Sequence, residues 1–238
     1  MKAVILAAGK GTRFGEITKT TPKSLIKISG KPIIEYTLEA LPSSIKEVYL
    51  VTGHLGDQIK KHIGKKYEGL KIKYIESKKL TGTATAVYGA KKYLGKARPR
   101  EAEGEAGEKF LVLYGDDIYS KKELEKLIRF PWAFGLAKSI PPTPKYLNII
   151  LDSKKYIIRA LYPTEKEMKT GILISTGSYV MDTRIFKYKP IRLGNGEYGL
   201  PQTMLKAAKD VPIRGVVMKK WIQINYPRDI ERAEKMLK

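Results

Sequence analysis

Short apolar runs alternate with helical patterns along the first half of the chain, and this alternation restricts the fold more than any other feature. Strands that alternate with helices form βαβ units around a mostly parallel sheet. Residues 3–7 are apolar on both faces, which is typical of a strand covered by two layers. The predicted strands are residues 3–7, 47–52, 71–75 and 110–114, and the predicted helices are residues 33–41, 56–66 and 83–94.

The pattern changes after Trp132, where short strand-like pieces follow one another with turns between them. We interpret this part as a more antiparallel, lid-like half. Residues 95–108 carry Pro99, Gly104 and Gly107, and are predicted to be a solvated excursion between a helix and a strand. The predicted elements of this half are strands 134–137, 146–151, 157–162, 172–181 and 213–218, and helices 200–208 and 228–237.

The chain is strongly basic, with 46 Lys and Arg residues against 24 Asp and Glu and a formal net charge of +22. A lysine- and glutamate-rich composition without cysteine is typical of a thermophile surface. The lysine doublets have no RNA-reading aromatic motif or zinc-finger spacing beside them, so we expect no nucleic-acid partner. A basic nucleic-acid binder is the alternative, and it predicts oligonucleotide binding that falls steeply with salt.

Several classes of protein are excluded by composition. The absence of cysteine excludes disulfides and thiolate nucleophiles. No apolar run approaches the roughly 20 residues of a membrane span. The N-terminus has one charge before a five-residue apolar run, which is too short for a signal peptide. We therefore expect a cytoplasmic protein of one domain over residues 1–238, without a membrane partner.

A loop suited to phosphate follows the first predicted strand. It reads Leu6-Ala7-Ala8-Gly9-Lys10-Gly11-Thr12-Arg13, and Pro22-Lys23-Ser24-Leu25 comes soon after. Glycines let backbone N–H groups turn toward an anion, while Arg13 offers a planar fork and Lys23 a point charge. The loop lies at the carboxyl end of its strand, where open α/β sheets bind ligands. A glycine turn with unrelated cations is the structural alternative.

Two familiar phosphate motifs fail on spacing. No segment matches the G-x-x-x-x-G-K-[ST] of a P-loop, and Phe14 stands where a dinucleotide-binding fingerprint needs its third glycine.

Asp116 directly follows a buried strand, which suits a carboxylate that holds Mg²⁺. The alternative role for Asp116 is to cap a helix that starts near Ser120.

These segments, together with Gly30-Lys31-Pro32-Ile33-Ile34, resemble the signature of the sugar-1-phosphate nucleotidyltransferases. The resemblance continues more weakly to the C-terminal part of the chain. It implies a Rossmann-like three-layer α/β/α sandwich with a mixed, mostly parallel central sheet. It also implies Mg²⁺ as cofactor, and a reaction that joins an NTP to a sugar 1-phosphate with release of pyrophosphate. The implied partners are an NTP and a phosphorylated small-molecule acceptor, and a homo-oligomer is left open.

The resemblance assigns roles to individual residues. Arg13 and Lys23 match the catalytic phosphate-binding positions, and residues 1–131 become a mainly nucleotide-binding half. Asp116 matches the first metal ligand. Gln223 stands where many relatives have the second, acidic ligand, and Asn225 matches the ligand of other branches and is favoured. The implied nucleotide-binding residues are Leu6, Ala7, Ala8, Gly9, Gly11, Thr12, Arg13, Lys23, Gly82 and Thr83.

Residues 132–238 become a mainly acceptor-binding half, and here the sequence departs from the family. Where relatives have Glu-Lys-Pro, this chain has Leu161-Tyr162-Pro163. A non-sugar acceptor (inositol phosphate, phosphocholine or the molybdenum cofactor) is therefore an alternative, as is a nucleotide-binding sensor without catalysis. Ser77 replaces the Gln typical of branches that read uracil or thymine. The implied acceptor-binding residues are Asn148, Thr176, Gly177 and Glu197.

Overall fold

The computed structural model describes residues 1–77, 81–95, 107–140 and 146–237. The strands in these ranges are β1 (Lys2–Ala7), β2 (Lys27–Ile28), β3 (Lys31–Pro32), β4 (Glu47–Thr52), β5 (Lys66–Tyr67), β6 (Leu70–Glu76), β7 (Lys109–Tyr114), β8 (Asp117–Tyr119), β9 (Ala133–Ser139), β10 (Asn148–Leu151), β11 (Ile157–Leu161), β12 (Ile172–Asp182), β13 (Ile191–Arg192), β14 (Tyr198–Gly199), β15 (Arg214–Val217) and β16 (Trp221–Gln223). The helices are α1 (Ile17–Thr20), α2 (Ile33–Glu39), α3 (Gly56–Ile63), α4 (Thr83–Gly89), α5 (Lys121–Leu127), α6 (Glu165–Thr170), α7 (Leu200–Ala207) and α8 (Arg228–Leu237).

An eight-stranded mixed sheet forms the centre of the molecule, in the order β15-β9-β12-β7-β1-β4-β6-β5. β1 pairs in parallel with β4 and β7, and β4 pairs in parallel with β6. β12 runs antiparallel between β7 and β9, while β15 pairs in parallel with β9. The expected mixed, mostly parallel sheet is thereby confirmed.

The two faces of the sheet bury separate cores because side chains alternate along each strand. Val4 and Leu6 of β1 pack on the side of α4 and α7. Ala3, Ile5 and Ala7 pack on the other side, against α2, α3 and α5. This arrangement is the predicted three-layer sandwich. Full burial of a side chain such as Ile5 contributes about 1.5–3 kcal/mol.

Some predicted boundaries were wrong, and glycine explains the clearest case. The helix predicted over 56–66 ends at Ile63 because Gly64 has φ +69 and its N–H bonds back to the carbonyl of Lys60. The chain then forms the short edge strand β5. The helix predicted over 83–94 ends at Gly89, and a 3-10 turn over Lys91–Tyr93 follows.

The second half is more antiparallel, as expected. β10 and β11 form an antiparallel pair, followed by α6, where Thr164 and Glu167 form a capping box. β12 runs to Asp182 and has an irregular register between Ser175 and Tyr179. The excursion predicted for residues 95–108 lies mostly outside the described residues. Within the described ranges, none of the helices has both the length and the apolar character needed to traverse a bilayer.

Candidate active site

Two cavities lie beside the carboxyl ends of β1 and β7, and they share Tyr114 and Asp116. The loop cavity has a volume of about 560 Å³ and the tyrosine cavity about 350 Å³. The loop cavity is lined by Leu6, Ala8, Gly9, Lys10, Gly11, Thr12, Ser77, Gly82, Thr83, Ala86, Tyr114, Asp116 and Glu197. The tyrosine cavity is lined by Arg13, Lys23, Tyr114, Asp116, Asp117, Tyr146, Leu147, Ile149, Ser175, Gly177, Tyr179, Pro201, Gln202, Gln223 and Asn225.

The glycine loop after β1 is held by backbone and side-chain contacts. Gly11 has φ +64, and a Cβ there would lie 3.0 Å from side-chain atoms of Lys23 and Thr18. Thr18 Oγ1 donates to the Gly11 carbonyl at 3.0 Å. At Gly9, by contrast, a Cβ would meet no atom within 4 Å. Gly11 is therefore required by the turn, while Gly9 faces open space in the loop cavity.

Lys23 and Asp116 form an ion pair where the two cavities meet. Pro22 precedes the 3-10 turn Lys23–Leu25, and this turn directs Lys23 toward the end of β7. Lys23 Nζ donates to Asp116 Oδ2 at 2.6 Å. The Lys23 side chain is 11% exposed and that of Asp116 is 34% exposed. The nearly buried ammonium group of Lys23 thus contacts the carboxylate of Asp116, which lines both cavities.

Arg13 and Asn225 form a second polar contact, between residues 212 positions apart. Arg13 Nη1 donates to Asn225 Oδ1 at 3.2 Å, and the guanidinium carbon lies 5.7 Å from the centre of the Tyr226 ring. Asn225 Nδ2 donates to the Tyr146 hydroxyl at 3.1 Å. The amide of Asn225 is therefore oriented by partners on both of its atoms.

Asp117 connects the C-terminal segment to the site through two hydrogen bonds. It is 3% exposed and accepts hydrogen bonds from Trp221 Nε1 at 3.1 Å and from the Ile224 N–H at 3.2 Å. Burial raises the pKa of the Asp117 carboxyl to about 8, and the neighbouring charge of Asp116 adds to this effect. β8 pairs with β16 so that Asp117 lies opposite Gln223. These contacts place Gln223 and Asn225 in the wall of the tyrosine cavity.

Asp229 lies at the start of the helix predicted over residues 228–237. Its carboxylate accepts the backbone N–H groups of Asn225 at 2.8 Å and Tyr226 at 2.9 Å, beside the first turn of α8. A carboxylate that satisfies free N–H groups at a helix start stabilises that end of the helix. This contact also fixes the backbone of Asn225.

The Gly82-Thr83 segment joins the two halves of the chain as well as lining the loop cavity. Gly82 has φ +111, and a Cβ there would lie 2.4 Å from the Tyr198 carbonyl oxygen. The Leu200 N–H donates to Thr83 Oγ1 at 2.9 Å, at the beginning of α7. These close contacts give Gly82 and Thr83 a structural role that does not depend on a ligand in the cavity.

The structure distributes the sequence-predicted residues over both cavities. Leu6, Ala8, Gly9, Gly11, Thr12, Gly82 and Thr83 line the loop cavity, whereas Arg13, Lys23, Asp116 and Asn225 line the tyrosine cavity, Asp116 being shared. Ala7 is 9% exposed and packs into the core on the α2 side of the sheet. The tyrosine cavity draws on residues from both predicted halves of the chain.

The four residues predicted for the acceptor do not converge on one cavity. Gly177 lines the tyrosine cavity, where a Cβ would lie 2.5 Å from the Tyr114 ring. Glu197 lines the loop cavity instead. Thr176 is fully buried and shares a 2.7 Å hydrogen bond with Ser178, and Asn148 Nδ2 donates to Glu167 Oε1 at 2.7 Å.

Several residues of the tyrosine cavity were missed by the sequence reasoning, namely Tyr114, Tyr146, Ser175 and Gln202. Tyr114 could have been found, because it ends the strand that leads into Asp116. Gln202 carried no such signal, since it lies within a helix whose place beside the cavity depends on tertiary packing.

The donor atoms near Asp116 limit what kind of metal site is feasible. Among the described residues, no group of three or more His, Cys, Asp or Glu side chains is placed to hold a metal ion. Asp116 and the amides of Gln223 and Asn225 line the same cavity. One carboxylate with amide oxygens suits a hard cation that takes its remaining oxygen ligands from phosphates and water.

Comparisons with known proteins identify the family of the chain. The Nucleotidyl transferase family model matches residues 2–194. The chain is 32% identical over 239 residues to the bifunctional protein GlmU of Methanococcus maripaludis, and the alignment covers 98% of this chain and 53% of that protein. It is 28% identical over 250 residues to a Methanocaldococcus jannaschii protein named for a UTP–glucose-1-phosphate uridylyltransferase activity, covering 90% of this chain and 84% of that protein.

A solved structure supports the fold independently. UDP-glucose pyrophosphorylase complexed with UDP-glucose superposes with a TM-score of 0.81 at 21% identity, over 99% of this chain and 97% of that chain. The chain spans about half the length of the GlmU proteins that it matches. The resemblance found in the sequence is confirmed by the family model over most of the chain. The chain therefore belongs to the nucleotidyl transferase family.

Proposed function

We propose that this chain transfers a nucleotidyl group from an NTP to a sugar 1-phosphate, giving an NDP-sugar and pyrophosphate. The observation that carries the proposal is the meeting of two cavities at Asp116, with Lys23 on its carboxylate. The loop cavity suits the nucleotide because small residues and glycines line it. The tyrosine cavity would receive the acceptor. The relative named for UTP–glucose-1-phosphate uridylyltransferase activity favours a sugar phosphate.

The proposed step is an in-line displacement at the α-phosphorus. An oxygen of the acceptor phosphate forms a bond to the α-phosphorus of the NTP. The bond from that phosphorus to the oxygen bridging to the β-phosphorus breaks, and pyrophosphate leaves with the electron pair. Both reactants are anions, so the protein must reduce their repulsion and stabilise the leaving group.

Arg13 and Lys23 are the residues to which we assign that electrostatic role. Both cations line the tyrosine cavity, and Lys23 lies at its junction with the loop cavity. In the free chain Lys23 contacts Asp116, and Arg13 contacts Asn225. Phosphate oxygens can replace these partners, because a phosphate group offers Arg a bidentate contact and Lys a strong point-charge interaction.

We propose that Asp116 and Asn225 would hold Mg²⁺, with Gln223 as the alternative second ligand. One carboxylate with an amide fits an ion that is otherwise held by substrate phosphates. When bound, the ion would neutralise phosphate charge and polarise the phosphoryl group. The chain's own residues would orient the two substrates and neutralise the pyrophosphate oxygens.

The proposal is tested by measuring pyrophosphate release over a matrix of five NTPs, dTTP included, and a panel of phosphorylated acceptors. We expect release with at least one sugar 1-phosphate, and loss of release when EDTA removes Mg²⁺. Release only with inositol phosphate, phosphocholine or a molybdenum-cofactor precursor would replace the sugar acceptor. NTP binding without release for any acceptor would indicate a sensor and contradict the proposal.

A substitution at Gly9 tests whether the loop cavity holds the nucleotide. Because a Cβ at Gly9 projects into open space, Gly9→Ala should leave the melting temperature unchanged. If the nucleotide occupies this space, the added methyl group crowds it. Such overpacking typically costs 1–3 kcal/mol, so the KM for NTP should rise about tenfold or more. Gly11→Ala is the contrasting variant, since φ +64 and two 3.0 Å contacts should lower the melting temperature as well. An unchanged NTP KM in Gly9→Ala would place the nucleotide elsewhere.

A further inference from the structure

The two residues proposed to hold the cation come from distant parts of the chain. Asp116 follows β7, whereas Asn225 lies in the loop between β16 and α8. Both line the tyrosine cavity. The oxygen ligands of one cation must lie within a few ångströms of each other. The position of the loop relative to the end of β7 therefore decides whether these two residues can reach the same ion.

Asp117, the residue after the first proposed ligand, has a fixed place in the core. It is 3% exposed, and Thr37 Oγ1 of α2 donates to its carbonyl at 2.9 Å in a buried contact. Ile118 beside it belongs to the same buried apolar cluster as Ile222 and Ile224. Because its backbone is held in this way, the Asp117 side chain can serve as a fixed point for another segment.

Both carboxylate oxygens of Asp117 accept hydrogen bonds from the C-terminal segment. Oδ2 accepts from Trp221 Nε1 at 3.1 Å, and Oδ1 accepts the Ile224 N–H at 3.2 Å. Backbone pairing between β8 and β16 ends at Gln223, opposite Asp117, and the carboxylate continues the connection for one further residue. Asp117 thereby joins the residue after one proposed ligand to the residue before the other.

Asp229 holds the same loop from its other side. Its Oδ2 accepts the N–H groups of Asn225 at 2.8 Å and Tyr226 at 2.9 Å. Three successive backbone N–H groups, those of residues 224–226, thus donate to two carboxylates. Asp229 belongs to α8 and fixes the shape of the loop, whereas Asp117 also fixes its distance from the end of β7.

We propose that Asp117 is a positioning residue, which sets the separation of Asp116 and Asn225 so that both reach one divalent cation. The inference rests on the proposed function, in which these two residues hold Mg²⁺. The oxygens of Asp117 are engaged by N–H donors, so it acts through Asn225 and not as a further ligand. Residues that orient metal ligands in this way commonly control metal affinity.

Metal titration of Asp117→Asn tests the proposal. An amide accepts hydrogen bonds at its oxygen only, so either Trp221 Nε1 or the Ile224 N–H loses its partner. The affinity for Mn²⁺, measured by electron paramagnetic resonance without nucleotide, should fall about tenfold to hundredfold. The Mg²⁺ concentration for half-maximal pyrophosphate release should rise by a similar factor. NTP affinity measured by calorimetry without metal should stay unchanged.

Asp182→Asn is the matched control, because Asp182 has the same kind of contacts away from the site. It is 1% exposed, and its carboxylate accepts from the other tryptophan, Trp132 Nε1, at 2.9 Å and from the Arg184 N–H at 2.9 Å. It lies outside the described lining of both cavities. Both variants should lower the melting temperature, but only Asp117→Asn should weaken Mn²⁺ binding.

Two further variants show whether Asp117 acts through Asn225. In an Asn225→Ala background, Asp117→Asn should weaken Mn²⁺ binding little further, because the residue that it positions is already absent. Trp221→Phe keeps an aromatic ring and removes one of the two donors to Asp117. It should weaken Mn²⁺ binding in the same direction, and it replaces Asp117→Asn if that variant does not fold.

Equal Mn²⁺ affinities in Asp117→Asn and Asp182→Asn, or an undiminished effect in the Asn225→Ala background, would overturn the positioning role. A wild-type chain that binds no Mn²⁺ would overturn the cation assignment on which that role rests. An absence of pyrophosphate release with every acceptor, while the differences in Mn²⁺ affinity persist, would instead overturn the proposed function.

Discussion

Asp116→Asn should abolish most of the pyrophosphate release while the chain stays folded and still binds NTP. The substitution keeps the size of the side chain and removes the charge of the half-buried carboxylate that lines both cavities. Loss of a group that stabilises transition-state charge typically costs a factor of about 10²–10³ in kcat, and loss of a metal ligand should cost at least as much. Removing a negative charge should not weaken NTP binding, since the nucleotide is itself an anion.

The measurements are kcat, NTP affinity by calorimetry and the melting temperature. Asn keeps the fold, but it leaves the 11% exposed Lys23 ammonium without its counter-charge, so a moderate decrease in melting temperature is expected beside the loss of kcat. Asp57→Asn is the matched control, because Asp57 is a 96% exposed carboxylate on α3. A kcat in Asp116→Asn within about threefold of the control would remove Asp116 from the mechanism.

Arg13→Ala should lower kcat/KM for the NTP by about 10²–10³, the range found when one charge-stabilising donor is removed. The guanidinium donates a hydrogen bond to Asn225 Oδ1 and lines the tyrosine cavity. Its loss leaves the pyrophosphate charge less compensated. Arg13→Lys should recover only part of the activity, since an ammonium lacks the bidentate geometry of the fork.

Steady-state kinetics of the three forms, with Arg159→Ala as control, checks this prediction. Arg159 is an exposed arginine of β11 that lies outside the two cavities. Arg13→Ala should also leave the melting temperature near that of the wild type, because the side chain is exposed. Retention of wild-type kcat/KM in Arg13→Ala would mean that another cation meets the leaving pyrophosphate.

The nucleotide-side part of the site could be predicted because it is local in sequence. The end of a buried strand, the glycines Gly9 and Gly11 and the cations Arg13 and Lys23 all lie within 18 residues, from Leu6 to Lys23. Their proximity in space follows from their proximity along the chain. Asp116 was also accessible, since it follows a second buried strand and parallel neighbours end at the same edge of a sheet.

The acceptor side could not be predicted in the same way. Gln202, Tyr146 and Ser175 come from a helix, a loop and a strand that approach one another only in the folded chain. The resemblance pointed to Glu197 and Asn148, but the structure places Glu197 in the other cavity and pairs Asn148 with Glu167. Side-chain direction at the end of a short strand depends on packing, which a linear motif does not specify.

By itself, the sequence determined the three-layer architecture and the phosphate-binding loop. Both depend on short-range periodicity and on glycines whose conformation is a local property. Tertiary structure alone decided that Lys23 contacts Asp116, that Arg13 contacts Asn225 and that Gln202 lines the same cavity as these residues. Such contacts join residues up to 212 positions apart, and their partners are selected by the packing of whole elements.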